Sequence, residues 1–280
     1  MYKAITNTNQ AQIYSNFIKH FILNYVDDSS NVVSSRDPKC LQNYINDFFR
    51  LLENFYNANR LTINRDKSKL LITCKNKLRN SSKNIKLQAS EYTISQSDKI
   101  KVLGIFITTS LNNQATINNI ISKVNYRSSV LKNIFKYSSL RTKRILSTSI
   151  IMSTFRYAAP LLIDSTQAQL RSLQTLLIRC TRPILGFQSY KWSSVKILDE
   201  LKWLSIYHLI TTETLKFIHR PIFENYPPAI NQYITYSMNR SDIIRQARKP
   251  YICETSNSET LSKTLLYKSI DIYNRLPDNI

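Results

Sequence analysis

Asp27 and Asp28 stand side by side in Tyr25-Val26-Asp27-Asp28, and this pair is the part of the chain best suited to chemistry. Ionised carboxylates are hard oxygen ligands for magnesium, the ion that organises phosphoryl and nucleotidyl transfer. An Asp-Asp pair at a turn is also ordinary turn chemistry, because short acidic side chains bond their own backbone. The flanking residues decide how the pair is held. An apolar run, Phe21-Ile22-Leu23, precedes it and a shorter one, Val32-Val33, follows, with Asp, Ser and Asn between. That reads as strand, tight turn, strand, with both acids at the tip of a hairpin.

A hairpin needs a surface to lie on. Leu41, Tyr44, Ile45, Phe48, Leu51, Leu52 and Phe55 recur at helical spacing, with Asp37 or Pro38 at the start. The stripe predicts an amphipathic helix packed on the hairpin's sheet. Short strand-like runs follow at Leu61-Thr62-Ile63, Leu70-Leu71-Ile72-Thr73 and Ile100 to Ile107, with an exposed loop from Lys75 to Lys86. From about Leu111 the period becomes helical. Ile117, Ile120, Ile121, Val124, Leu131, Ile134 and Phe135 form one stripe. Leu170, Leu173, Leu177 and Ile184 form another, ended by Gly186 after the helix-unfriendly Arg182-Pro183. Leu198, Leu201, Leu204, Ile206, Leu209 and Ile210 continue the pattern until Pro221, Pro227 and Pro228 break it. The order predicts an α+β fold: a partial antiparallel sheet with a packed helix over 1–110, a basic helical region over 111–220, and a weakly ordered stretch over 221–280 with a terminal helix.

Composition narrows the partners. The 280 residues carry a formal net charge of +21. No acid lies between Asp98 and Asp164, a stretch that holds Lys99, Lys101, Lys123, Arg127, Lys132, Lys136, Arg141, Lys143, Arg144 and Arg156. A solvated helix face normally mixes signs, so one sign over this length predicts a polyanion partner, nucleic acid ahead of a membrane. Two glycines in the whole chain leave no Gly-rich phosphate loop. Cys40, Cys74, Cys180 and Cys253 lie far apart, and the three histidines lack metal spacing, which predicts neither a zinc site nor a disulfide framework. The polar opening from Met1 to Gln12 is unlike a signal peptide. The expectation is an intracellular protein of nucleus or cytoplasm, neither secreted nor bound to membrane.

These residues, in this order, resemble the reverse transcriptase of non-LTR, LINE-type retrotransposons. Tyr25-Val26-Asp27-Asp28 is similar to its Y/F-x-D-D palm motif. Leu61-Thr62-Ile63-Asn64-Arg65-Asp66-Lys67-Ser68-Lys69 resembles the following L-x-x-N-x-x-K-T-K pattern, and Lys101-Val102-Leu103-Gly104-Ile105 the Y-L-G-I primer-grip strand. Leu173-Gln174, Arg179 and Gly186 match a later L-Q…R…G helix. Trp203-Leu204-Ser205-Ile206 resembles a W-L-P/S-I element, and Ile272-Tyr273-Asn274-Arg275-Leu276-Pro277 a terminal W-N-x-L-P signature.

The resemblance implies a palm followed by a thumb and connector. It makes Asp27 and Asp28 magnesium ligands and catalytic carboxylates, with Lys67 beside the nucleotide phosphates. Tyr25, Val26, Leu103 and Gly104 would position primer and nucleotide. Lys101, Lys123, Arg127, Lys132, Lys136, Arg141, Lys143 and Arg144 would hold nucleic acid. The implied partners are an RNA template with a DNA primer, or an RNA–DNA hybrid, together with an N-terminal polymerase part. A working palm also needs an Asp from an earlier strand and a Q-G-x-x-L-S-P-type segment. Neither is found here, and Ile13-Tyr14-Ser15-Asn16-Phe17 is the nearest remnant of the stretch before the Y-x-D-D motif. The expectation is a polymerase fragment that is inactive alone, with weak magnesium binding, or a catalytically dead RNA/DNA-binding remnant.

Overall fold

The apolar runs Phe21-Ile22-Leu23 and Val32-Val33, separated by turn-forming residues, bring the first two strands together. In this computed structural model, β1 (Ile18–Tyr25) and β2 (Asp28–Ser35) pair antiparallel, from Ile18 opposite Ser35 to Tyr25 opposite Asp28. The structure describes residues 18–25, 27–64, 66–74, 85–88, 93–94, 96–186, 191–224, 227–231, 234–236, 251–253 and 265–276. The chain divides into two units, Met1–Asn112 and Asn113–Ile280.

In the first unit, α1 (Pro38–Ala58) begins where Asp37 accepts a hydrogen bond from the Lys39 amide at 3.0 Å. Pro38 fits the first turn because its missing N–H would have no helical partner there. The helix buries Phe48, Phe49 and Leu52 against Ile94, with Ile22 of β1 packed on the same cluster. Burial of each such side chain stabilises by roughly 1.5–3 kcal/mol. Leu51 and Phe55, expected in the same stripe, are exposed instead. The buried arc is centred one residue over, on Phe49.

Two expected strands are irregular. The segments 61–64 and 70–74 form no ladder, apart from one parallel bridge from Leu70 to Gln96. Asn64 gives the reason for the first: its Oδ1 accepts the Lys67 amide at 3.1 Å and its carbonyl accepts the Ser68 amide at 3.1 Å. A side chain that satisfies the backbone locally competes with sheet pairing. The run from Ile100 to Ile107 is a hairpin rather than one strand, with β5 (Lys99–Val102) against β6 (Ile105–Thr108). With β3 (Leu87–Gln88) and β4 (Thr93–Ile94), the described strands of this unit form separate two-stranded antiparallel ribbons. Residues 75–84 of the expected loop lie outside the described residues.

The second unit is mainly helical. Its elements are α2 (Gln114–Phe135), α3 (Leu140–Ser147), a π turn (Thr148–Met152), α4 (Ser153–Ala158), a 3₁₀ turn (Ala159–Asp164), α5 (Gln167–Leu185), α6 (Ser194–Leu201), α7 (Ile206–Glu224) and α8 (Pro228–Asn231). A ribbon of β7 (Ile234–Tyr236) and β8 (Tyr251–Cys253), then α9 (Leu265–Tyr273), complete it. Thr166 and Gln169 form a capping box that starts α5.

The stretch Leu140–Asp164 is long and apolar enough to cross a membrane by length and composition alone. Its Ile151, Met152, Phe155, Ala158, Ala159 and Leu162 are buried in the unit's core. Pro183 lies inside α5, which Gly186 ends as expected, whereas Pro221, expected to break the helical pattern, lies inside α7. Pro183 stands near the C-terminal end, and α5 stops two residues later, where Gly186 takes φ +81°. Pro221 is itself buried, so its packing offsets the hydrogen bond it cannot donate. In α9, Ile270 packs against Ile218 of α7, and Lys268 pairs with Asp164 at 2.6 Å.

Candidate functional site

The hairpin fixes the two acids by register. β1 ends at Tyr25 and β2 begins at Asp28, so Val26 and Asp27 make the link. Val26 lies outside the described residues. Asp27 and Asp28 are both exposed. Tyr25 lies directly opposite Asp28 and shares a face with Phe21, Leu23 and Val32, all four exposed.

The opposite face rests on α1 through His20. Its Nδ1 lies 2.9 Å from the Tyr44 hydroxyl, its Nε2 lies 3.2 Å from Asn31 Oδ1, and its ring meets Phe48 edge-on at 4.5 Å. Burial pulls the His20 pKa down, and the Asn31 bond pulls it partly back. The neutral ring that donates to Asn31 and accepts from Tyr44 therefore fits the site.

Magnesium prefers six oxygens in near-octahedral array. Among the described residues no group of three or more His, Cys, Asp or Glu side chains gathers. Asp27 and Asp28 alone do not make a two-metal site, and no catalytic step follows from them.

Lys67 is exposed on the turn that Asn64 builds. The N-x-x-K spacing thus has a local cause: the Asn side chain caps the backbone of the residue three places on. Leu103 and Gly104 are the two central residues of the β5–β6 hairpin, at φ +47° and +86°. Both positive values are what a tight primed turn demands, and glycine meets the demand at its second position without strain. Lys101 is exposed on β5.

In the second unit, the resembling motifs hold the architecture. Leu173 is fully buried, and Gln174 accepts the Ile206 amide at 2.8 Å, which ties α5 to the start of α7. Trp203 is buried and donates from Nε1 to the Thr148 hydroxyl at 3.1 Å. Arg179 donates to Asn125 at 2.7 Å.

The seven bases expected on this unit divide. Arg127 turns inward: its guanidinium donates to the Ile150 carbonyl at 3.0 Å and to the Thr154 hydroxyl. Ile150 belongs to the π turn, whose widened ladder leaves carbonyls in need of donors. Arg144 pairs with Glu200 at 2.5 Å. Among the described residues, Lys123, Lys132, Lys136, Arg141 and Lys143 make no ion pair. All five lie on α2, on the corner after it, or at the start of α3.

Sequence reasoning missed residues here. Tyr126, Val130 and Ile134 form a second, exposed stripe at i, i+4, i+8, followed by Tyr137 on the corner. Ile134 had been expected in the core. The signal was available as a second helical period alongside the buried one. Compared with known proteins, the chain matches no family model, no curated protein and no solved structure.

Proposed function

We propose that this chain is part of an RNA-directed DNA polymerase of the non-LTR retrotransposon kind, whose retained activity is holding RNA template and DNA primer, or an RNA–DNA hybrid. In this reading the first unit is the palm portion, the second is thumb and connector, and the chain does not polymerise alone. The observation that carries it is the hairpin that ends on Tyr25 opposite Asp28, with Asp27 and Asp28 both exposed at its tip. The five bases of α2, the corner after it and α3 that make no ion pair among the described residues, in a stretch without acids, support the binding part. Magnesium would meet Asp27 and Asp28, and an N-terminal polymerase part would have to bring the further carboxylate.

Primer extension on poly(rA)–oligo(dT) tests catalysis. No incorporation is expected from these 280 residues, and incorporation abolished by Asp27→Ala would overturn the incomplete site. Binding to a labelled RNA–DNA hybrid should weaken steeply with salt, and Asp27→Asn should not reduce it. Absent or salt-independent binding refutes the reading. Among the described residues no third acidic or metal-binding side chain gathers beside Asp27 and Asp28, which favours a second reading, a dead RNA/DNA-binding remnant. Failure of a polymerase part carrying the missing Asp to restore extension would select it.

A further inference from the structure

One helix of the second unit is apolar on two sides. α2 buries Ile117, Ile120, Val124, Leu131 and Phe135 in the core. Tyr126, Val130 and Ile134 face away from it, and Tyr126 is 72% exposed. Tyr137 continues this face and is 93% exposed. A helix face meant only for water carries charged side chains of both signs. This one carries aromatic rings, among cations with no acid in the local sequence.

Tyr137 is held out by a firm corner rather than by a loose loop. Its amide bonds the Ile134 carbonyl at 3.3 Å, and the Ser138 hydroxyl bonds the same carbonyl at 2.9 Å. Ser139 then caps α3 through the Thr142 amide at 3.2 Å. On a fixed backbone a tyrosine has only two side-chain torsions to order, so its flat ring is offered at low entropic cost.

We infer that this face of α2 is a stacking platform for unpaired bases. Tyr126 and Tyr137 take base faces of a single strand, with Val130 and Ile134 between them. Lys132, Lys136, Arg141 and Lys143 take its phosphates. Charge selects this occupant: a second copy of the chain would bring its own +21, whereas a single strand brings both negative charge and π faces. A perfect duplex keeps its bases stacked on one another and offers the tyrosines little. The inference rests on the nucleic-acid reading above and refines it, because it assigns this surface to a template overhang or free strand rather than to paired primer and template.

The test uses the full chain with three labelled probes: a 12-mer of oligo(rU), the same length of oligo(dT), and a blunt RNA–DNA hybrid of equal length, read by anisotropy. The double variant Tyr126→Ala/Tyr137→Ala should weaken single-strand binding about tenfold or more while its salt slope holds. Hybrid binding should stay within about twofold. Tyr137→Trp should retain single-strand binding, and oligo(rU) should quench its added emission. Unchanged single-strand binding in the double variant overturns the inference and leaves the function reading intact if the hybrid still binds. Equal loss on strand and hybrid also overturns it. No binding of any probe overturns both. A double variant that loses phosphatidylserine vesicles but not oligonucleotides assigns the face to a membrane and overturns the inference. Relative affinities for oligo(rU) and oligo(dT) then say whether RNA or DNA is the strand held. Both tyrosines are exposed, so matched circular dichroism melts are expected for all variants.

Discussion

Replacing Arg127 with Met separates a structural arginine from a nucleic-acid contact. Its guanidinium donates to the Ile150 carbonyl and to the Thr154 hydroxyl. A hydrogen bond with a charged partner contributes about 1.5–3 kcal/mol. Arg127 is only half-buried, so water recovers part of that loss. The Thr154 hydroxyl also still reaches the Ile150 carbonyl at 2.9 Å. The net expectation is about 2 kcal/mol of destabilisation, or roughly 4–8 °C in Tm for a unit of this size. Lost phosphate contact would instead lower the salt slope of single-strand binding by about 0.7. The assay pairs a thermal melt with anisotropy on labelled oligo(rU) at several salt concentrations. Arg127→Met should lower Tm and keep the slope. Lys132→Met, at an exposed cation, should do the reverse, with stability changed by no more than about 0.5 kcal/mol. An Arg127→Met protein with unchanged Tm and a reduced slope would refute the structural role.

Two more predictions concern the first unit. Burial lowers the His20 pKa, so as pH falls through about 6.5 the unfolded chain takes the proton first and stability drops towards the folded value. The urea midpoint of wild type should therefore fall more between pH 7.5 and 5.5 than that of His20→Gln, and equal falls would count against it. Leu103 sits at φ +47°, where a leucine costs about 1–2 kcal/mol. Leu103→Asn makes the Asn-Gly turn that this geometry favours, and should raise the urea midpoint by about 1 kcal/mol of stability; a lower midpoint would mean that the leucine side chain contributes more than its strain costs.

The parts legible in the sequence were those whose cause is local. Two apolar runs either side of the turn formers around Tyr25 to Asp28 give the hairpin, and Asp37-Pro38 gives the start of α1. The heptad-like spacing of Ile117, Ile120 and Val124 gives the buried side of α2. What stayed hidden depends on the third dimension. Periodicity cannot tell Ile134 from Phe135 when both faces of a helix are apolar. The residues 61–64 look like a strand until Asn64 is seen to hold the backbone of Lys67 and Ser68. Pro221 looks like a helix breaker until its ring is found in the core. At the candidate site, charge counts showed that cations were plentiful but not which were available. Arg127 and Arg144 differ from Lys132 and Lys136 only in what other parts of the unit place beside them.

The pairing of Lys268 with Asp164, and of Ile270 with Ile218, has a consequence for synthesis on the ribosome. About a hundred residues separate Asp164 from Lys268, which is roughly 5–20 s of translation. Ile218 is made about half-way through that interval, and its α9-facing side then waits unsealed. Helix α9 thus acts as a closing bolt, and these contacts cannot form until its residues have left the ribosome.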